Sequence, residues 1–447
     1  MVSRRQLLLG AAGLAGGSAL AGGGGALAAE AYKRGFAEAE AKGELKVAKA
    51  TLPWSGKHQG GVEAPAQAHT NFIALNLKPG ITRDDMLRWM LLLTEDIAAL
   101  ATGEAVLADP SPELIVGAAN LSVTVGFGPS LFKKLSLEDK MPFGFGEIPA
   151  FKIDQLKDEF SGGDVLLHVG ADDLQILAHS TRALLRDSDD FGDVKWIQSG
   201  FTNAVGTNRP GTTQRNLMGQ VDGTDNPELG SENFSNQVWI DQGPAWAIGG
   251  TQLVLRRIKM NLETWDSLGR EQKEQTIGRT LDNGAPLNGK NERAPLDFEA
   301  TNEFGQKVIP EFAHIRRASA KSMDELFFRR PFNYQVVSAD QKATPGNLES
   351  GLLWTAYAKN LSKQYVPVQE RLASFDLLNK WTTPVGSATF AIARGVKPGE
   401  MVLDGPTLAS IYLGQIKSWD DAAIAKLNFA PNRAARSLAG GEQLRIA

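Results

Sequence analysis

The chain contains no cysteine. That absence excludes disulfides, thiolate metal sites, covalent haem attachment through CxxCH and cysteine nucleophiles together. Histidine is scarce, with five residues: His58, His69, His168, His179 and His314. Any imidazole chemistry must use one of them. An excess of positive charge is missing too. Lys+Arg is 47 against Asp+Glu 51, a net charge of -4. That balance argues against a nucleic-acid partner, which needs a basic footprint. What remains is globular material: 447 residues, 42% hydrophobic and 22% charged. This is too apolar to stay disordered and long enough for about two or three domains.

The N-terminus, MVSRRQLLLGAAGLAGGSALAGGGGALAAEA, reads as an export signal. Arg4 and Arg5 give a basic start, a soft apolar stretch follows, and Ala26-Leu27-Ala28 supplies an A-x-A cleavage site. The Ser3-Arg4-Arg5-Gln6-Leu7-Leu8 run resembles the twin-arginine motif, whose route carries proteins already folded. A Sec signal with two chance arginines is the alternative. Glycines clustered between Gly10 and Gly25 make a permanent membrane span a poor reading. Residues 1–28 are therefore assigned to the signal and 29–69 to an irregular segment. The mature chain is expected without an integral membrane span, in the periplasm or at the cell exterior.

From Thr70 a regular order begins. Asn71–Leu77 reads as a strand. Thr82, with Asp85 three residues later, opens a helix whose Met86, Met90, Leu93, Ile97 and Leu100 recur at helical spacing. Ala119–Val125 and Asp164–Val169 read as strands, Asp172–Arg186 as a helix and Val194–Gly200 as a strand. The order is β-α-β-β-α-β, the split βαβ pattern of ferredoxin-like domains. The second half repeats it with strands at Gln252–Ile258, Tyr334–Val337, Leu352–Tyr357 and Ala388–Ala393. Its helices are expected at Arg270–Arg279 and Val368–Lys380. The class is α+β, with two such units. Segments 201–250 and 281–332 are long and irregular, and loops of that length inside a compact domain are usually functional.

Those segments hold the chemistry. In RNLMGQVDGTDNP, Gly219 and Gly223 bracket Asp222, with Asn226 and Pro227 just after. This can fix one carboxylate in a set direction, or be an ordinary surface Asp-Gly turn. In PEFAHIRRASA, His314 lies between apolar Phe312 and Ile315, as a ligand or as a satisfied core histidine. In ELFFRRPFNY, Arg329 and Arg330 lie between aromatics, as a solvated turn or as an arginine reaching an anionic site.

Their order, GxxDG then AHIR then FFRRPFNY, resembles the dye-decolorising peroxidase family. WSGKHQGGVEAPAQAHTNFIAL (54–75), SGGDVLLHVGADD (161–173), LETWDSLGREQKEQTIGRT (262–280) and GLLWTAYAKNLSKQYVPVQERLA (351–373) are similar to its twin-arginine-exported bacterial deferrochelatase/peroxidase subgroup. The resemblance spans about residues 47–400. It implies two ferredoxin-like (βαββαβ) domains, 70–225 and a haem-ligating 226–400, with one haem b per chain. It makes His314 the proximal iron ligand, Asp222 the distal acid–base residue and Arg329 the distal arginine. Arg329 is preferred over Arg330 because the family's arginine follows an apolar pair. Asp376, in RLASFDLLNK, becomes the carboxylate that fixes the His314 tautomer, against the alternative of a helix-surface aspartate. GQVDG stands where GFKDG is usual, with the acid and both glycines kept.

The implied activity is peroxidase chemistry, in which H2O2 oxidises dyes, phenols or similar organic reductants. An acidic optimum is expected, because an unperturbed Asp titrates near ~4. The alternative is a deferrochelatase that releases iron from haem beside iron-uptake components. The resemblance also implies a homo-oligomer, dimeric or larger. After about Pro398 it fades. Residues 402–428 (VLDGPTLASIYLGQIKSWDDAAIAKLN) resemble an internal segment of periplasmic phosphate-binding proteins, so 401–447 is set apart as an atypical tail.

Overall fold

In the computed structural model, residues 46–107, 109–209, 211–338 and 348–395 are described, together with a strand pair formed by Val402–Leu403 and Leu444–Arg445. The signal, most of 29–69 up to residue 45 and most of the tail lie outside the described residues.

The first half forms β1 (His69–Leu77), α1 (Arg83–Ala101), β2 (Ser122–Phe127), β3 (Val165–Ala171), α2 (Leu174–Ser188) and β4 (Gly192–Phe201). Its strands pair antiparallel in the order β2-β3-β1-β4. The second half forms β5 (Thr251–Met260), α3 (Arg270–Ile277), α4 (His314–Ala318), β6 (Phe328–Arg329), β7 (Phe332–Val337), β8 (Leu348–Ala358), α5 (Val366–Phe375) and β9 (Thr382–Ile392). Here β5 lies between β9 and β8, and β7 flanks β8. Both halves have the ferredoxin-like arrangement expected from the pattern.

The halves are not separate sheets. Phe127 pairs with Ala391 and Phe201 with Asn333, so β2 meets β9 and β4 meets β7. With β5 also paired to β8, the strands return on themselves. The interior follows suit: Phe72, Leu166 and Trp196 of the first half share one apolar cluster with Leu253, Phe332, Leu353 and Phe390 of the second. The two pattern repeats, ending at Phe201 and resuming at Thr251, thus share a core.

Local signals explain the element ends. The Thr82 hydroxyl accepts from the Asp85 backbone N–H and the Asp85 carboxylate accepts from that of Thr82, closing a capping box on α1. The α1 face buries Met86, Trp89, Leu93, Ile97 and Leu100, while Met90 is only half-buried. Burial of side chains such as Leu93 and Ile97 stabilises by about 1.5–3 kcal/mol each. β2 starts at Ser122 rather than Ala119, because Ala119 and Asn120 take the left-handed φ of 45° and 55°. The helix expected over Val368–Lys380 ends at Phe375. Asp376 turns extended (φ -75°, ψ 122°), and its carboxylate caps a new 3-10 turn over Leu377–Lys380.

Where α1 packs on α2, the carboxyl of Asp187 lies against Asp96. Burial, then the hydrogen bond and charge of Asp96, push Asp187 up from 3.8 to about 7. A folded-state pKa above the unfolded one favours the fold below 3.8, and that contribution is lost as pH rises to about 7. Thermal midpoints measured across that window should show a decline for the native chain that Asp187→Asn removes. An unchanged decline in the variant means the pair does not titrate as described.

Candidate functional site

One cavity, with an open volume of about 1600 Å³, collects the residues singled out in the sequence: Asp222, His314, Arg329 and Asp376 all line it. Much of its wall is apolar, including Met218, Met260, Ile277, Ile315, Leu352 and Trp354.

His314 is the first residue of α4, and its ring is 30% exposed, to the cavity. Nδ1 lies 2.6 Å from Asp376 Oδ2, which leaves Nε2 as the ring nitrogen available to a ligand. Two features hold this pair. The Leu377 N–H donates to the Phe312 carbonyl at 3.1 Å, tying the chain just beyond Asp376 to the chain just before His314. Arg371 on α5 donates to the Ser319 carbonyl (3.0 Å) and to Glu325 (2.8 and 2.9 Å), clamping α5 to the segment that follows α4. Burial disfavours the charged imidazole. The charge and hydrogen bond of Asp376, aided by Asp222, outweigh it and raise the His314 pKa above 6.5. Asp376 itself is buried, and its departure from the helix makes the contact possible.

The four other histidines are placed differently. His58 stacks on Trp239 and contacts the Gly249 carbonyl at 2.6 Å. His168 is buried within the sheet beside Phe72 and Thr70. His179 pairs with Asp109 at 2.6 Å, both buried. His69 begins β1. None of these lines the cavity.

Asp222 sits where the chain needs glycine on both sides. Gly219 and Gly223 have φ of 82° and 122°, a region an L side chain rarely adopts. The Asp222 N–H donates to the Gln214 carbonyl at 2.9 Å. The carboxylate then faces the Arg329 guanidinium, with 3.6 Å between Nη1 and Oδ1. At that distance, with both side chains part-exposed to the cavity, the pair is loose enough for either group to engage a small ligand.

Arg329 and Arg330 part company because neighbouring residues of an extended chain point to opposite faces. Arg329 enters the cavity. Arg330 is buried inside the sheet, donating to the carbonyls of Gly61, Val62 and Ala64 and to the Tyr357 hydroxyl at 2.7 Å. Sequence reasoning did not anticipate that role. It also passed over Gln214, whose amide donates to the Pro331 carbonyl at 2.7 Å. Nothing in the sequence marks Gln214 beyond its nearness to the GxxDG turn.

Comparison with known proteins agrees on one family. A model described as Dyp-type peroxidase, N-terminal, matches residues 59–202, and its C-terminal counterpart matches residues 213–397. The chain is 35% identical over 371 residues to a protein of Thermobifida fusca (strain YX) named Dye-decolorizing peroxidase, covering 80% of this chain and 85% of that protein. It is 31% identical over 412 residues to a Yersinia pestis protein named Deferrochelatase, covering 88% and 92%. Among solved structures, a DyP-type peroxidase from Cellulomonas bogoriensis aligns with a TM-score of 0.75 at 42% identity, covering 79% of this chain and 97% of that one. Ferric DtpA from Streptomyces lividans aligns at 0.74 with 32% identity, covering 78% and 95%.

The His314–Asp376 contact generates a direct test. In Asp376→Asn the carboxylate that opposes burial is gone, so the His314 pKa should fall, as followed by NMR titration of the ring. A pKa that stays in place means the carboxylate does not govern the imidazole.

Proposed function

This chain belongs to the Dyp-type peroxidase family of haem-dependent enzymes, and from that premise we propose that it uses H2O2 to oxidise dyes, phenols or similar organic reductants with one haem b per chain. The observation that carries the reading is the convergence on one cavity of an imidazole backed by a carboxylate and of a facing acid and guanidinium.

The residues present fit such a group. Among the described residues, Nε2 of His314 is the one imidazole nitrogen offered to the cavity, and apolar walls suit a flat macrocycle. Bound there, haem b would supply the redox-active iron that peroxide oxidises and the organic reductant restores. The chain's own residues do the rest. Asp376 accepts the Nδ1–H of His314, which fixes the tautomer, orients the ring and makes Nε2 a stronger donor. Asp222 takes the proton from one oxygen of H2O2 and delivers it to the other, so that the second oxygen leaves as water. Such a positioned acid–base group contributes about 10²–10⁴-fold. Arg329 faces the negative charge that develops on the peroxide as the O–O bond lengthens.

A second reading has its own support in the Deferrochelatase relatives: iron leaves the haem while the porphyrin stays intact. Among the described residues no group of three or more metal-ligating side chains occurs, so released iron would pass to an external acceptor such as an iron-uptake component. Export by the twin-arginine route to the periplasm or cell exterior belongs to the same proposal and rests on the Ser3–Leu8 run. Among the described residues no helix is long and apolar enough to cross a membrane. Assembly as a homo-oligomer is likewise proposed from the family resemblance.

Stopped-flow mixing with H2O2 tests the main reading. Asp222→Asn should keep the haem absorption band and slow the peroxide reaction by about 10²–10⁴-fold. An unaltered rate removes Asp222 from its role. Incubating the purified chain with haem and looking for metal-free porphyrin fluorescence decides the second reading. Fractionation of cells decides the third: Arg4→Lys with Arg5→Lys should retain the chain in the cytoplasm, and normal export of that variant would refute the route.

A further inference from the structure

We infer that Asn226 is a positioning residue that holds Arg329 at its working distance from Asp222, an inference that rests on the peroxidase reading. Arg329 belongs to β6, which is two residues long and pairs with β8 through Phe328↔Tyr357 and Arg329↔Ala356. So short a strand does little to fix a side chain that projects into an open cavity. The backbone of Arg329 is held on its other side by one amide. Its N–H donates to Asn226 Oδ1 at 3.0 Å, and its carbonyl accepts from Asn226 Nδ2 at 2.6 Å. A carboxamide offers the same donor and acceptor as a peptide group, so Asn226 stands in for the neighbouring strand that β6 lacks.

The other end of Asn226 is tied to the acid. Its backbone N–H donates to the Gly223 carbonyl at 3.0 Å, closing the turn that begins beside Asp222. A Cβ at Gly223 would come within 3.4 Å of Asn226 Nδ2, so the turn and the amide are packed together. Gln214 adds a second stitch between the same two segments: its carbonyl receives the Asp222 N–H, and its amide donates to the Pro331 carbonyl. Asp222 and Arg329, far apart in sequence, are thereby built as one rigid unit. Misplacement of a reacting group by about 1 Å can cost roughly 10²-fold in rate. The 3.6 Å spacing of the pair therefore depends on a residue that lines no part of the cavity.

The test uses the haem-loaded full chain. Asn226→Ala should retain haem and lower kcat/KM for peroxide by about 10–100-fold. In an Arg329→Ala background the same change should add almost nothing, because the loss is routed through that guanidinium. Gln335→Ala serves as the control. It removes a 3.0 Å bond to the Ser350 hydroxyl further along β7, outside the two stitched segments, and should leave peroxide kinetics as they were. Amide hydrogen exchange provides a readout apart from activity: the Arg329 N–H should exchange faster in Asn226→Ala. Additive losses in the double variant, or unchanged peroxide kinetics, would overturn the inference, as would unchanged exchange. If the native chain consumes no peroxide, the functional reading fails separately, and exchange at Arg329 alone then decides whether the clamp exists.

Discussion

The hydrogen bond between His314 and Asp376 is the contact on which the site depends. A histidine is ambiguous by itself, because either ring nitrogen can carry the proton and the ring can turn. A carboxylate at 2.6 Å from Nδ1 removes both freedoms and commits Nε2 to the cavity. The chain brings the two together by ending α5 at Phe375, the residue before Asp376. Asp376 leaves the helix, caps the following 3-10 turn with one oxygen and meets the imidazole with the other. Had the helix continued, that side chain would have followed the α5 surface.

The opposite wall has a different kind of support. Asp222 and Arg329 lie in two long irregular segments, and ordering such segments carries a large entropic cost. Their roots are close, however. β4 leads toward the Asp222 turn, β7 follows directly on Arg329, and the two strands meet at Phe201↔Asn333, where the sheet closes. Closure of the sheet thus shortens the gap that side-chain bonds between the two segments must bridge. The ferredoxin-like halves meet at the same place, so sharing one core and assembling the acid with the guanidinium have a common structural origin.

Much of this was legible in the sequence. The capping box at Thr82 and Asp85 announced α1, and two β-α-β-β-α-β orders announced the class. Ordered motifs brought forward the four cavity residues. What stayed hidden lacked periodic or local signatures. The joins between halves are single residue pairs, Phe127↔Ala391 and Phe201↔Asn333, and carry no pattern. The late start of β2 follows from left-handed conformations at Ala119 and Asn120, residues whose identities do not demand them. Helical spacing continues through Asp376, so only the capping competition at that residue reveals where α5 ends.

The arginine doublet shows how one strand face can support the other. Arg330 is a buried cation with no carboxylate partner among its described contacts. Carbonyls of Gly61, Val62 and Ala64, the Tyr357 hydroxyl and the Tyr357 ring, 5.1 Å from the guanidinium carbon, take its place. Burial, reinforced by the Arg330 charge, holds nearby His168 well below 6.5, so this stack of polar side chains keeps a single positive charge. That arrangement fixes the backbone next to Arg329, since moving Arg330 would strand a cation and several carbonyls without partners inside the sheet. Together with the Asn226 amide, the buried Arg330 holds the backbone at Arg329, and the Arg329 guanidinium stays open to the cavity.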